Sequence, residues 1–329
     1  MRIVIDLLGA DLGAEEIVNG VVDSLDFSKS NFTLVGPKAV GEKVIEERKA
    51  PMDRFEFIDT EEFVRNEEDP VRALRRKKDA SIVLGLNRLN EDGYDGIITC
   101  GSTGAFIAGG IFITKRTGTV ERATLATVIP TLKGKTILVD SGAVVDAKPE
   151  MLEQFAVMGS IYSQKFLNIE NPKVALLNVG VEEGKGDIRT KEAYDLLKKN
   201  TKINFVGNLE ARDFLEGNVD VVVTDGFAGN VLLKSTEGTA KVLLTEIKNG
   251  IMSKLITKIG ALLLKPVFGS IKKKFDYKEV GVAVLLGIRK PLFKAHGSSD
   301  RKAIMNGIKN AETFINNNIN KYIEEEFNG

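Results

Sequence analysis

The sequence predicts an α/β fold, a mostly parallel sheet with helices on both faces, and three observations carry that expectation. Short β-branched runs recur along the chain with amphipathic segments between them. Several runs are apolar at consecutive positions, as strands are when helices cover both of their faces. Most of them end in Asp, Asn or Gly, and in open α/β sheets the carboxyl ends of strands carry the ligand crevice.

The runs follow in order. Ile3-Val4-Ile5 ends in Asp6, and Phe32 to Val35 ends in Gly36. Asp69-Pro70 sets a capping residue before a proline at the first helical position, which opens a helix rich in Arg72, Arg75 and Arg76, with Lys77 and Lys78 behind them. Ile97-Ile98-Thr99 runs through Cys100-Gly101-Ser102-Thr103-Gly104 straight into a helical pattern. Ile137 to Val139 ends in Asp140. Pro149-Glu150 then opens a helix whose apolar face includes Leu152, Phe155 and Ala156. Val174 to Leu177, Asn204 to Val206 and Val219 to Thr224 end in Asn178, Gly207 and Asp225. The loop Lys294 to Asp300 precedes a C-terminal helix.

Composition narrows the function classes. A length of 329 residues suits one elaborated domain over 1–329, with an amphipathic helical protrusion at 245–278. Lys plus Arg and Asp plus Glu both total 46, so no net positive field exists to hold nucleic acid. The single cysteine, Cys100, and the single histidine, His296, give neither an internal disulfide nor a zinc spacing, so a reducing cytosol and no metal or other cofactor are expected. Asp6 and Asp11 interrupt what would have to be the apolar part of a signal peptide. The apolar stretch Ala105 to Thr114 is far short of the roughly 20 residues a membrane-spanning helix needs.

The candidate chemistry lies in the strand-end loops. Gly101-Ser102-Thr103-Gly104 before a helix fits a phosphate or carboxylate cradle, because N–H groups at a helix start point outward unpaired; a plain tight turn fits the same residues. No Walker loop or dinucleotide fingerprint occurs. Lys185, in Glu182-Glu183-Gly184-Lys185-Gly186, could neutralise a phosphate or a developing oxyanion, or lie in a solvated turn. Asn230, in Asp225-Gly-Phe-Ala-Gly-Asn230, could donate to a carbonyl oxygen or help to cap a helix. His296 stands beside Ser298 and Ser299 before a helix start, where an anion site and a structural histidine are both open.

In order, these loops resemble the acyl-(acyl-carrier-protein):phosphate acyltransferase family. The matching blocks include Asp6-Leu-Leu-Gly9-Ala-Asp11, Pro70 to Ser81, Gly101 to Gly104, Asp140-Ser-Gly-Ala143, Leu176 to Gly180, Lys185-Gly186, Asp225 to Asn230 and Lys294 to Asp300. The resemblance implies a Rossmann-like α/β/α sandwich similar to phosphate acetyltransferases and the isocitrate dehydrogenase group. It implies a homodimer, and transfer of a long-chain acyl group from acyl-carrier protein to inorganic phosphate. The acyl phosphate product then feeds a downstream glycerol-3-phosphate acyltransferase in phospholipid synthesis. On this resemblance Lys185, Asn230 and His296 are catalytic, and Asp6, Asp11, Gly101, Ser102, Thr103, Gly104, Asp225 and Ser298 hold phosphate or substrate. The chain departs from the family pattern at Ala10, Leu12, Ser102, Val144, Val181, Asp187, Val282 and Val284. A coenzyme A-dependent phosphate acetyl- or butyryltransferase, a decarboxylating dehydrogenase and a weakened paralogue acting as a scaffold are the competing readings.

Two surfaces complete the expectations. Arg72, Arg75 and Arg76 offer an acidic carrier protein a landing face, or are simply solvated. From Lys248 to Lys274 the chain has seven lysines and no acid, and at about 100° per residue Leu255, Ile259, Leu262 and Leu263 fall on one apolar arc with Ile251, Met252 and Ile256. Such a segment suits peripheral attachment to an anionic membrane surface, on the cytoplasmic side of the cell membrane, and equally suits packing on a dimer partner.

Overall fold

A computed structural model describes residues 1–274 and 277–328. The first half builds β1 (Arg2–Asp6), α1 (Gly13–Ser24), β2 (Asn31–Gly36), α2 (Lys38–Glu47), β3 (Phe55–Asp59), α3 (Pro70–Arg76), α4 (Ser81–Asn90), β4 (Gly96–Thr99) and α5 (Thr103–Gly109). The second adds β5 (Thr124–Pro130), β6 (Lys135–Val139), α6 (Pro149–Leu167), β7 (Lys173–Asn178), α7 (Ile188–Lys199), β8 (Asn204–Glu210) and β9 (Val221–Val223). Then come α8 (Gly226–Met252), α9 (Leu255–Leu263), α10 (Lys265–Lys274), β10 (Val282–Leu286), β11 (Leu292–Ala295), α11 (Arg301–Asn316) and α12 (Ile319–Asn328).

All of the described strands join one sheet in the order β3-β2-β1-β4-β11-β10-β5-β6-β9-β7-β8. Alternate residues feed opposite cores. Ile3, Ile5 and Ile98 pack in a layer with α1, α6 and α11, whereas Val4 and Ile97 pack with α4 and α5 on the other face. Each fully buried side chain of this size contributes about 1.5–3 kcal/mol, which is why consecutive apolar residues identified these strands. The mostly parallel α/β expectation holds.

β3, β5, β10 and β11 are additional to the strands expected from the apolar runs. β3 lies at the sheet edge and is only partly buried, so its apolar signal is weak. β5, β10 and β11 form the middle of the sheet, and β10 runs antiparallel to both β5 and β11, while β5 runs antiparallel to β6. Those reversals have a consequence for the site. β1, β4 and β11 are parallel to one another and so are β6, β7 and β9, but the two sets run in opposite senses. The carboxyl ends expected to form one crevice therefore leave opposite edges of the sheet. α8, which starts at the end of β9, connects them, its Lys234 reaching His296 after β11.

The apolar segment near residue 260 is not one helix. α8 runs without interruption from Gly226 to Met252, ends at Ser253, and α9 and α10 follow as separate turns of chain. No residue of α9 is buried, and Leu255, Leu262 and Leu263 are 76%, 71% and 79% exposed. Part of the 245–278 segment, Phe275 and Asp276, falls outside the described residues, as do the side chains of Lys272 and Lys273. Among the described residues no helix is long and apolar enough to cross a membrane.

Candidate active site

Register puts the first group of site residues together. Asp6 pairs with Thr99 across β1 and β4, and Thr99 pairs with Lys294 across β4 and β11, so all three lie in one row. Thr99 Oγ1 donates to Asp6 Oδ2 at 2.7 Å and accepts the Gly101 N–H at 3.0 Å. Leu8 N–H donates to Asp6 Oδ1 at 3.1 Å. Asp6 is 2% exposed, and burial pushes its carboxyl above the usual carboxylate range against the pull of these donors and of Lys294. It shapes the Gly101 turn through Thr99 from beneath. Enclosed as it is, Asp6 lines a small cavity with Ser81, Thr99, Gly101 and Ser102.

The loops above this row lie too close together for side chains. Gly9 has φ +82°, and a Cβ there would sit 2.7 Å from Gly101 Cα. Asp11 N–H donates to Gly297 O at 2.9 Å, so the loops after β1 and β11 are joined, and the exposed Asp11 carboxylate stands beside Gly297. Ser102 is buried and its hydroxyl caps α5 at Ala105 N–H, so its side chain is occupied within the protein. Thr103 is the exposed hydroxyl of the turn. Gly104 is required by packing, because a Cβ there would lie 2.6 Å from Pro70 Cγ on α3. Cys100 is buried, and burial pushes its thiol up to about 12, so it stays protonated and is no nucleophile.

His296 sits at the exposed end of this cluster. Its Nδ1 lies 2.8 Å from Ser298 Oγ and 3.2 Å from Ser298 N, and its Nε2 lies 3.3 Å from Lys234 Nζ. Burial, and then the Lys234 charge, hold the imidazole below its ordinary value, so it is neutral at pH 7.

The second group forms at the end of β9. Asp225 Oδ1 accepts the Phe227 and Ala228 N–H groups and starts α8, while Oδ2 takes the Arg189 guanidinium at 2.9 Å. Both of its oxygens are engaged, one in capping α8 and one in tying α7 to it. Asp140 lies directly under the same turn. Fully buried, it accepts four backbone N–H groups, from Leu125, Gly142, Ala143 and Val144, at 2.6–3.1 Å. A Cβ on Gly229 would lie 1.9 Å from Asp140 O, so only glycine lets α8 descend this far. Asn230 follows, exposed, with its side chain 3.6 Å from where a Cβ on Gly142 would be.

α8 unites the two groups. Asn230 and Lys234 are one turn apart on the same face, and Lys234 reaches His296. Lys185 is exposed in the loop between β7 and α7; Asn178 Nδ2 holds its carbonyl at 3.1 Å, and its side chain passes over Gly180. Asn230, His296 and Ser298 are thus linked through α8, and the Lys185 loop is joined to the same helix through Arg189. Asp140, Arg189, Lys234 and Lys294 were not singled out from sequence. Two of them left a trace: a lysine inside the apolar run Leu292-Phe293-Lys294-Ala295, and a spacing of four between Asn230 and Lys234.

Asp140 generates a pH prediction. Burial pushes its carboxyl up to about 6 from an ordinary 3.8. The folded state therefore binds the proton more tightly than the unfolded chain, and this group's contribution to stability falls as pH rises from about 4 to about 6. Asp140→Asn replaces an acceptor with a donor facing backbone N–H groups, a loss of about 1–3 kcal/mol. In urea denaturation the wild type should exceed the variant by a margin that narrows over that pH window. A margin independent of pH would mean that Asp140 titrates normally.

Comparison with known proteins agrees with this architecture. The family model described as fatty acid synthesis protein matches residues 1–322. A phosphate acyltransferase of Clostridium tetani is 45% identical over 327 residues, covering 99% of this chain and 98% of its own. One from Clostridium botulinum is 46% identical over 329 residues, covering 99% of each. Among solved structures, a phosphotransacetylase from Streptococcus pyogenes superposes with a TM-score of 0.62 at 15% identity, covering 95% of this chain and 94% of its own. The EutD phosphotransacetylase from Staphylococcus aureus gives 0.59 at 14%, with the same coverage. These structures share the fold. With identity above 40% along nearly its whole length and the family model matched from its first residue to residue 322, the chain belongs to the phosphate acyltransferase family.

Proposed function

We propose that the protein transfers a fatty acyl group from acyl-carrier protein to inorganic phosphate, giving acyl phosphate for phospholipid synthesis. The observation that carries this is the convergence, on one family's framework, of the Gly101 turn, the His296 loop and the first turns of α8. A phosphate oxygen attacks the thioester carbon, the C–O bond forms, the C–S bond breaks, and the carrier thiolate leaves and takes up a proton. Phosphate is already an anion at neutral pH, so the protein has mainly to hold it in line and to stabilise the oxyanion that develops. The Thr103 end of the turn and Ser298 hold phosphate in this scheme, and Lys185 and Asn230 polarise the carbonyl. His296, neutral and fixed at Nδ1 by Ser298, orients the phosphate, and Lys234 beside it is a source for the thiolate's proton. The test is release of free carrier protein from palmitoyl-carrier protein with and without phosphate. Activity on palmitoyl-coenzyme A alone would replace the carrier protein in this scheme.

Lys185→Ala and Asn230→Ala should each lower turnover by about tenfold to a thousandfold, the scale for losing one electrostatic stabiliser. Both residues are exposed, so melting temperature should stay near the wild type. Wild-type turnover in either variant would remove that residue from the scheme.

The carrier-docking proposal narrows to Arg72 and Arg75. Arg72, Arg75 and Arg76 are all exposed on α3, but Glu68 already offsets Arg76 and Lys77, at 3.0 and 2.8 Å, so the test is made at the other two. Reversing both charges should raise the Michaelis constant for the carrier protein, more at low salt than at high. An unchanged constant at low salt would discard this face.

Peripheral membrane attachment through α9 is supported by its exposed apolar side chains, Leu255, Ile259, Leu262 and Leu263, beside Lys254, Lys258 and Lys265. The protein should float with liposomes, more strongly with anionic lipid and less with salt, and Leu255→Glu with Leu262→Glu should abolish it. A double variant that becomes monomeric, with a wild type that never floats, would assign the face to a homodimer instead.

A further inference from the structure

The described site holds a charged group for which the scheme above has no use. Lys294 is 9% exposed in the middle of the sheet, in a strand whose other side chains are apolar. A lysine is kept there only if its ammonium is satisfied, because desolvating an unpaired charge is prohibitive. Lys294 Nζ donates to Cys100 O at 3.2 Å and to Ala295 O. These carbonyls occupy equivalent places: Cys100 is the residue before the Gly101 turn, and Ala295 is the residue before His296. Asp6, two strands away in the same row, is a nearby carboxyl whose ionised form favours the ammonium.

We infer that Lys294 is a positioning residue for phosphate, its buried ammonium pinning the ends of β4 and β11 so that the Gly101 turn and the His296 loop keep the separation that one phosphate fills. The inference rests on the phosphate acyltransferase reading. Its Nζ lies on the inner side of both loops, away from solvent, where a cation is little screened.

The test is steady-state kinetics of full-length Lys294→Met with palmitoyl-carrier protein and phosphate varied in turn. The Michaelis constant for phosphate should rise at least about tenfold, the scale for losing a charge-assisted contact, with that for carrier protein within about twofold. A phosphate constant equal to the wild type would overturn the inference. Should Lys294→Met fail to fold, Asp6→Asn with Lys294→Met removes both charges together and retains an acceptor for Thr99. A normal phosphate constant in that double variant would mean that Lys294 only balances Asp6, which also overturns it. Hydrogen exchange on the wild type gives a readout independent of folding: phosphate should slow the Gly101–Thr103 and Gly297–Ser299 amides together, and protection of one loop alone counts against the clamp. Carrier release that needs no phosphate in the wild type would defeat the functional reading, whereas phosphate-dependent wild type with an unaffected variant defeats the clamp alone.

Discussion

The site depends on how deeply the first turn of α8 is set into the sheet. Asp225 starts the helix by accepting two of its unpaired N–H groups, and the close approach of Gly229 to the Asp140 carbonyl fixes its depth. Asp140 in turn gathers three N–H groups of its own loop and that of Leu125 on β5, an arrangement that leaves little freedom to the residues between 140 and 144. With the base fixed, the direction of the helix is fixed, and four residues after Asn230 its Lys234 arrives at His296. A helix set one side chain further out would separate the two groups of site residues.

A second feature is the burial of charge below the open face. Asp6 and Lys294 lie in one register row, enclosed, and burial shifts each toward its uncharged form. Replacing such a pair by apolar residues is often neutral or stabilising, so stability alone does not account for it. What the pair does hold is position. Through Thr99 and through the carbonyls of Cys100 and Ala295 it fixes the backbone on which the exposed groups stand.

The departures from the family pattern read differently once their surroundings are known. Val144 contributes its backbone to the site, its N–H to Asp140 and its carbonyl to Gly226, and any side chain can do that. Asp187 caps α7 at Thr190 as an asparagine would. Val282 and Val284 are buried strand residues in β10, where β-branched side chains fit. Val181 and Leu12 are exposed at the loops of the site, and nothing in the structure explains them.

The sequence by itself determined the layers of the fold and most of its parts, because covering both faces of a strand demands an apolar run that is visible without coordinates, as at Ile3 to Ile5 and Val219 to Val223. It also determined which loops matter, since Gly9 and Gly229 answer demands on backbone that only glycine meets. Strand direction is not written in that way. A run of valines reads the same in a parallel or an antiparallel neighbour, so the reversals at β5 and β10, and the opposite edges they create, became visible only in the sheet. The same limit hid the difference between Asp6 and Asp11, or between Ser102 and Thr103, where one of each pair is enclosed and the other open. It hid Lys234 and Lys294 as well, whose meaning lies in partners 62 and 194 residues away in the chain. Pairing, burial and the orientation of a helix arise from contacts between distant segments, and those the tertiary structure alone decided.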